Sequence, residues 1–256
     1  MGWIGKLIGG TIGLGLGGPL GAILGAALGH KFDKSEQRYL EGGSQTQGFY
    51  QSGGRQQKEM TFFVAAFSML AKIARADGQI TENEIQAVKD FMVKDLRLDP
   101  VSQQAAINIF RAARNSQESF ESFAKQFYQS FKDQEQILEL MIDVLFRVAS
   151  SDGSVVSEEE RLIETTSKMF GFSDSKFSSI RSRYTTTAST HYYSVLNSSS
   201  SDDNSQIKKQ YRKLVSEYHP DKIIAKGLPD EFVELAHEKF REIQEAYEAI
   251  SKERNF

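Results

Sequence analysis

A glycine recurs at every fourth residue near the N-terminus, in a stretch whose one charged side chain is Lys6. The series runs without a break through Gly5, Gly9, Gly13, Gly17, Gly21, Gly25 and Gly29. Residues four apart share one face of a helix, so the pattern predicts a smooth stripe along a helix; a flexible glycine-rich leader is the alternative. Residues 7–28 are uncharged and would extend about 33 Å as a helix, which is enough to cross a bilayer core of roughly 30 Å.

Such a glycine stripe permits two helix backbones to approach each other closely in lipid. We therefore predict that residues 1–32 form a single transmembrane anchor that pairs with a second copy through the seven glycines. Basic residues favour the cytoplasmic side of a span, and Lys31, Lys34 and Arg38 follow the stretch whereas Lys6 precedes it. The residues after the anchor are therefore expected to face the cytoplasm.

Composition excludes several classes of protein. The chain has no cysteine, so disulfides, thiolate zinc sites and cysteine nucleophiles are excluded. Its four histidines show no metal-binding spacing such as HExxH, and no cofactor is expected. A net charge of -3 gives no reason to expect nucleic-acid binding. We found no set of nucleophile, base and acid, so an envelope hydrolase is disfavoured and no enzymatic activity is predicted.

The middle of the chain has the apolar spacing of an all-helical domain. Residues 33–57 are rich in Gly, Gln and Ser and are predicted to form a flexible linker. From residue 58 to 184, apolar residues recur at intervals of three and four, which predicts a bundle of about seven helices. The predicted helices span 58–75, 81–97, 99–114, 118–131, 133–150, 156–170 and 173–184.

A short pattern occurs twice within this bundle. Asp77 and Asp152 are each followed by Gly, by an apolar residue at the third position and by Glu at the seventh, which are Glu84 and Glu159. The spacing is that of part of an EF-hand loop, but the first two ligand positions hold Ile73 and Arg75 in one copy and Val148 and Ser150 in the other. Too few carboxylates remain for tight calcium binding. The structural interpretation is a glycine helix stop followed by a capping box.

This duplicated pattern in a helical unit resembles the TerB domain of tellurite-resistance proteins. TerB-like domains have been linked to metal or acidic-site roles. The resemblance makes the matching residues weak candidates for a divalent-ion site, although no metal is predicted. The candidates are Asp77, Glu84, Asp152 and Glu159.

The C-terminal part is predicted to be a small helical hairpin. A Ser/Thr-rich linker at 185–190 leads to a module at 191–256, in which helices at about 205–218 and 230–252 flank His219-Pro220-Asp221. Alone, this tripeptide could be a plain helix stop, because the residue before proline is pushed out of helical geometry. Its context, with Tyr-Tyr-x-x-Leu before it and Lys-Phe-x-x-Ile-x-Glu-Ala-Tyr after it, resembles the J domain of DnaJ-like proteins.

Basic residues at four-residue spacing mark one face of the helix before this tripeptide. Such an uncompensated face suits an acidic protein partner, because complementary charge speeds encounter and fixes orientation. The J-domain resemblance implies that this partner is an Hsp70 ATPase, DnaK in bacteria. The residues expected to bind it are Lys208, Tyr211, Arg212, Lys213, His219, Pro220 and Asp221.

Together, the three parts resemble membrane-anchored DnaJ-like proteins of the DjlA type. The resemblance implies a co-chaperone at the inner membrane, with its N-terminus in the periplasm, that stimulates ATP hydrolysis by Hsp70. Expected partners are Hsp70, its nucleotide-exchange factor, the membrane and a second copy of the chain. The alternative is a membrane sensor of ions or stress, in which the TerB-like unit is the input and the J domain the output.

Overall fold

Helices form the regular structure in the part of the chain that can be described. A computed structural model describes residues 16–32, 53–76, 82–151, 153, 155–185 and 188–256. Every regular element in these ranges is helical, which confirms the predicted all-α class. The first of these helices, α1, spans Gly18–Phe32.

Among the described residues, seven helices follow in the middle bundle, the name used here for residues 53–185. They are α2 (Gly53–Ile73), α3 (Glu82–Asp90), α4 (Pro100–Asn115), α5 (Phe120–Phe131), α6 (Glu135–Ala149), α7 (Ser157–Met169) and α8 (Asp174–Thr185). Each matches a predicted helix within a few residues, except that α3 ends in a π-helical turn at Phe91–Asp95. Helix α2 begins at Gly53, so its first turn occupies the end of the predicted linker at 33–57.

Local sequence signals explain where several of these helices begin. Helix α4 starts after Asp99, whose side chain accepts hydrogen bonds from the backbone N–H groups of Val101 and Ser102 at 2.9 and 3.3 Å. Pro100 occupies the first helical position, where its missing N–H costs nothing. The side chain of Ser119 caps α5 in the same way.

Phenylalanine dominates the core of the middle bundle. The rings of Phe62, Phe127 and Phe131 are fully or almost fully buried, and the Phe62 and Phe127 centroids lie 5.6 Å apart in an edge-to-face arrangement. Edge-to-face pairs of this kind add to the stabilisation from burial. The core is therefore held by aromatic packing between α2 and α5.

The C-terminal module, residues 188–256, folds beside the middle bundle. Its elements are α9 (Ala188–Val195), α10 (Asn204–Glu217), α11 (Pro220–Ala225), a 3₁₀ turn (Asp230–Phe232) and α12 (Val233–Arg254). A small core of its own joins α9, α10 and α12 and includes Leu196, Ile207, Leu214, Ile243 and Ile250. The two helices of the predicted hairpin are thus α10 and α12.

A segment after the His-Pro-Asp tripeptide packs into the middle bundle instead of this small core. We call residues 222–236 the post-loop segment. Five of its apolar residues are buried within the large core of the bundle, namely Ile223, Leu228, Phe232, Leu235 and Ala236. The two folded units are consequently joined by a continuous apolar interior.

Helix α1 also packs against the middle bundle. Leu20, Ile23 and Leu24 are at most 2% exposed, and the side chain of Gln126 accepts a hydrogen bond from the N–H of Leu20 at 2.9 Å and donates one to the carbonyl of Gly17 at 2.6 Å. No helix among the described residues has both the length and the apolar character of a membrane span. Residues 1–15, the first half of the predicted anchor, lie outside the described part.

Candidate functional site

The His-Pro-Asp tripeptide forms an exposed turn that joins α10 to α11 and includes the first two residues of α11, Pro220 and Asp221. The side chain of His219 is 49% exposed and that of Asp221 is 89% exposed, and His219 Nδ1 lies 3.8 Å from Asp221 Oδ2. His219 has an extended backbone, φ -56° and ψ 127°, as expected for a residue before proline. Pro220 then starts α11, so this short sequence both stops one helix and starts the next.

Neighbouring side chains hold the turn in place. Lys222 donates hydrogen bonds from Nζ to the carbonyl and the hydroxyl of Ser216, at 2.8 and 2.9 Å, which ties α11 back to the last turn of α10. The His219 ring meets the ring of Phe240 edge to face at 5.7 Å. The turn is thus ordered while its polar atoms stay accessible to a partner.

The predicted basic face on α10 is largely exposed. Arg212 and Lys213 are exposed, as is Lys209, and Lys213 has only a long contact of 3.9 Å to Glu217. Lys208 is half-buried, with its ammonium 4.7 Å from the centroid of the Phe256 ring. Three of these cations therefore present their charge to solvent on the helix that leads into the His219 turn.

Tyr211 was predicted to bind Hsp70, but its ring also makes a contact within the protein. Its ring stacks on that of Tyr247 with centroids 3.9 Å apart and an interplanar angle of 7°. This contact joins α10 to α12, and Tyr211 is half-buried. Part of its role is therefore to fix the position of α10.

Sequence reasoning missed a buried cluster of charges where the C-terminal module meets the middle bundle. Arg183 lies 2.9 Å from Glu139 and 3.3 Å from Asp143, and Lys239 on α12 lies 3.6 Å from Asp143. All four side chains are at most 9% exposed. We call them the ion cluster. The sequence gives one indication of the cluster, because Glu139 and Asp143 are acidic residues four apart that interrupt the apolar run 137–146 of α6.

The electrostatics of the ion cluster favour its charged state. Burial alone would raise the pKa of Glu139, but Arg183, Lys176 and Lys239 outweigh it and place that pKa below its usual range. Tyr218, the residue before His219, is 4% exposed. Burial, followed by the charge of Glu139, raises the pKa of its phenol well above the usual value. The cluster thus reaches the residue that precedes the exposed turn.

A second contact of opposite charges crosses the same boundary at the edge of the ion cluster. Arg147 on α6 bridges Asp95 at 2.5 Å and Glu238 on α12 at 2.8 Å. These side chains are partly exposed, so each pair contributes little alone. Together they fix the orientation of α12, because the guanidinium of Arg147 links it to α6 and to the π-helical turn.

The two copies of the repeat come together in the bundle. Glu84 and Glu159 line one small cavity of about 30 Å³ between the ends of α2 and α6 and the starts of α3 and α7. Glu159 accepts a hydrogen bond from the N–H of Val156 at 3.1 Å, an end-capping contact for α7. Asp77 and Asp152 lie outside the described residues, within which no group of metal-binding side chains was found.

The glycine stripe is described in part. Gly17 precedes α1, Gly21, Gly25 and Gly29 lie within it, and Gly5, Gly9 and Gly13 lie outside the described residues. A side chain added at Gly17 or Gly25 would meet no atom within 4 Å, whereas Leu20 and Ile23 are buried. At these two positions the stripe therefore faces away from the middle bundle.

Three family models together cover nearly the whole chain. The model of the Co-chaperone DjlA transmembrane domain matches residues 1–51, that of Tellurite resistance protein TerB matches 63–182, and that of the DnaJ domain matches 191–255. The TerB match falls on the middle bundle and the DnaJ match on the C-terminal module. An exposed His-Pro-Asp turn in a DnaJ domain, joined to these other two domains, defines a membrane-anchored co-chaperone of the DnaJ type.

Similar proteins match this chain over nearly its whole length. The Co-chaperone protein DjlA of Coxiella burnetii is 33% identical over 100% of this chain and 99% of its own length. That of Vibrio vulnificus is 32% identical over 98% of each chain. The chain belongs to the DjlA family of co-chaperones, as its sequence predicted. No solved structure matches it.

Proposed function

We propose that the C-terminal module binds the ATPase of an Hsp70 chaperone and stimulates ATP hydrolysis, without catalysing a reaction itself. The observation that carries this proposal is the exposed turn at His219 and Asp221, placed directly after a helix with a solvent-facing basic side. The basic side would guide an acidic partner and the turn would then reach it. The relatives are bacterial, and in bacteria this partner is DnaK.

Binding can be tested with the full chain in liposomes and purified Hsp70. We expect Hsp70 to sediment with the liposomes in the presence of ATP and to remain in solution in the presence of ADP, because the partner changes conformation with its nucleotide. Equal sedimentation with both nucleotides, or none with either, would contradict the proposal.

Charge reversal on α10 should weaken this binding. Changing Arg212→Glu and Lys213→Glu should reduce affinity by about tenfold or more, because like charges across an interface are strongly unfavourable. Wild-type affinity should also fall as salt rises from about 50 to about 300 mM, over which the screening length shortens from roughly 14 to 6 Å. Both effects can be measured by sedimentation or by fluorescence titration.

The matched control moves the same charge change to the middle bundle. Lys89 and Lys125 are exposed there, and Lys89→Glu with Lys125→Glu gives the same net charge. This pair should leave the affinity within about twofold, since exposed charges beyond a screening length interact weakly. If both double variants weaken binding equally, overall charge decides it and α10 is not the docking face.

We further propose that residues 1–32 insert into the inner membrane with the N-terminus in the periplasm and the folded units in the cytoplasm. The uncharged stretch at 7–28 and the basic residues after it support this orientation. Insertion requires α1 to leave the bundle, because Leu20, Ile23 and Leu24 cannot face lipid and the protein core at once. Residues 33–52 would then tether the bundle to the membrane.

In the membrane, the glycine stripe should pair two copies of the chain. Replacing Gly17→Leu and Gly25→Leu should reduce association roughly tenfold while insertion survives, because leucine adds hydrophobicity but prevents close backbone approach. Ala22 and Ala26 are exposed on α1 but lie off the stripe, so Ala22→Leu with Ala26→Leu is the matched control. A membrane reporter of dimerisation that gives equal signals for both variants would exclude the stripe as the interface.

A further inference from the structure

We infer that the middle bundle positions the His219 turn for the partner by clamping the post-loop segment, residues 222–236. This inference rests on the proposed function, because the turn must act on Hsp70 for its position to matter. It assigns a role to residues that lie apart from the proposed docking face. Phe232 and Gly227 are the positioning residues on which the argument depends.

The first contact of the clamp is made by Phe232, an aromatic residue of the C-terminal module that is buried in the core of the middle bundle. Phe232 is fully buried, and its ring centroid lies 4.7 Å from that of Phe62, 6.2 Å from that of Phe63 and 6.4 Å from those of Phe67 and Phe91. All four partners belong to the middle bundle. The contact therefore fixes the start of α12 against α2 and the π-helical turn.

A close backbone approach secures the segment between the turn and Phe232. Gly227 has a positive φ of 91°, and a Cβ added there would lie 2.8 Å from Cβ of Lys58 on α2. Glycine is required at this point both for its backbone conformation and for the space. The neighbouring Lys226 donates a hydrogen bond from Nζ to the side chain of Gln136 on α6.

Both ends of the exposed turn are held by buried residues. Tyr218, on the near side of His219, is 4% exposed and adjoins the ion cluster, while Ile223, on the far side of Asp221, is 2% exposed in the core of the bundle. The ion cluster adds Lys239 of α12 to the same boundary. The turn is thus a short exposed segment, and the buried residues on both sides of it, Tyr218 and Ile223, are fixed against the middle bundle.

Positioning of this kind should affect stimulation more than binding. The basic side of α10 remains exposed whatever the state of the clamp, so encounter with Hsp70 should persist. Productive action requires the turn to meet its target in one geometry, and small misplacements of an acting group reduce rates steeply. Loosening the clamp should therefore lower the maximal stimulation and leave the half-maximal concentration nearly unchanged.

The test combines a distance with an activity in the full chain, in nanodiscs. The chain has no cysteine, so Gln129→Cys on α5 and Glu248→Cys on α12, both exposed, allow two spin labels to be placed uniquely. Wild type should give one narrow distribution of distances. Gly227→Ala should broaden or shift it and lower maximal stimulation about tenfold, with a half-maximal Hsp70 concentration within about twofold of wild type.

The matched control is Gly171→Ala. Gly171 also has a positive φ, 81°, but a Cβ there would meet no atom within 4 Å. It carries the same backbone strain without a clash, so both the distance and the stimulation should stay as in wild type. Phe232→Ala is a second loosening variant, and Gly227→Ala alone decides the matter if Phe232→Ala fails to fold.

Each outcome has a defined meaning. The inference is overturned if Gly227→Ala leaves the distance distribution narrow and unshifted, or if it broadens the distribution while maximal stimulation is kept. It is also overturned if Gly171→Ala lowers stimulation equally. Failure of wild type itself to stimulate Hsp70 would refute the proposed function instead, and the distances would still report whether the clamp exists.

Discussion

Replacing His219→Gln is expected to reduce stimulation of Hsp70 ATP hydrolysis to the basal rate. His219 is half-exposed at the tip of an ordered turn, and its main contact is an edge-to-face approach to Phe240. Glutamine preserves the polarity and removes no buried apolar group, so helicity should be unchanged and stability altered by no more than about 0.5 kcal/mol. The variant should lose function without losing structure, as circular dichroism and a single-turnover ATPase assay can show together.

The matched control for this substitution is His237→Gln. His237 is a half-buried histidine on α12 in the same module, and its replacement should leave stimulation within about twofold of wild type. Unaltered stimulation by the His219 variant would refute the role proposed for the turn. Equal loss in both variants would indicate general damage to the module.

Replacing Arg183→Met is expected to cause a large decrease in the free energy of unfolding. Arg183 is 2% exposed and lies between Glu139 and Asp143. Methionine fills a similar volume but leaves these buried carboxylates short of positive charge, and breaking a buried ion pair on one side costs about 3–5 kcal/mol. Chemical denaturation of the full chain in mild detergent, followed by circular dichroism, measures this loss.

Arg181, two residues earlier on the same helix, provides the control. It pairs with Glu160 at 2.9 Å but is 48% exposed, so Arg181→Met should cost less than about 1 kcal/mol. Similar losses for the two variants would mean that the ion cluster is no more important than a surface pair.

The pH dependence of stability should report the same cluster. The folded-state pKa of Glu139 lies below its ordinary value of 4.5, so the unfolded chain binds more protons between these two values. Its contribution is therefore fully present above about pH 4.5 and is lost as the pH falls through the folded pKa. In Arg183→Met the decline in acid should be shallower, because the carboxylate has lost its strongest cationic neighbour.

Periodicity was sufficient to predict the helices of the middle bundle. Each predicted helix corresponds to an observed one, because apolar residues at intervals of three and four define a buried stripe whatever the stripe packs against. Ends that carry a capping residue, such as Asp99 before α4, were placed within a residue or two. The start of α2 was missed by five residues, because glycines at its beginning resemble those of the linker before it.

The turn at His219 was found by its motif, whereas the contacts between the two units were not predictable. Ile223 and Leu228 lie between the two predicted helices of the hairpin, where no regular period predicts burial, and Phe232 falls inside the predicted helix at 230–252. Their partners in α2 and α6 are many residues away, and a single sequence carries no record of such pairings. The buried ion pairs could not be predicted for the same reason, because nothing in the sequence indicates that Glu139 and Arg183 contact each other.

Single-turnover ATP hydrolysis tests most directly whether this chain activates an Hsp70, as we propose. Purified Hsp70 loaded with labelled ATP would be mixed with the full chain in nanodiscs, and the hydrolysis rate followed as the chain is titrated. We predict a saturable acceleration with wild type that empty nanodiscs do not produce and that His219→Gln abolishes. A rate that stays at the basal value at every concentration of the wild-type chain would contradict the account.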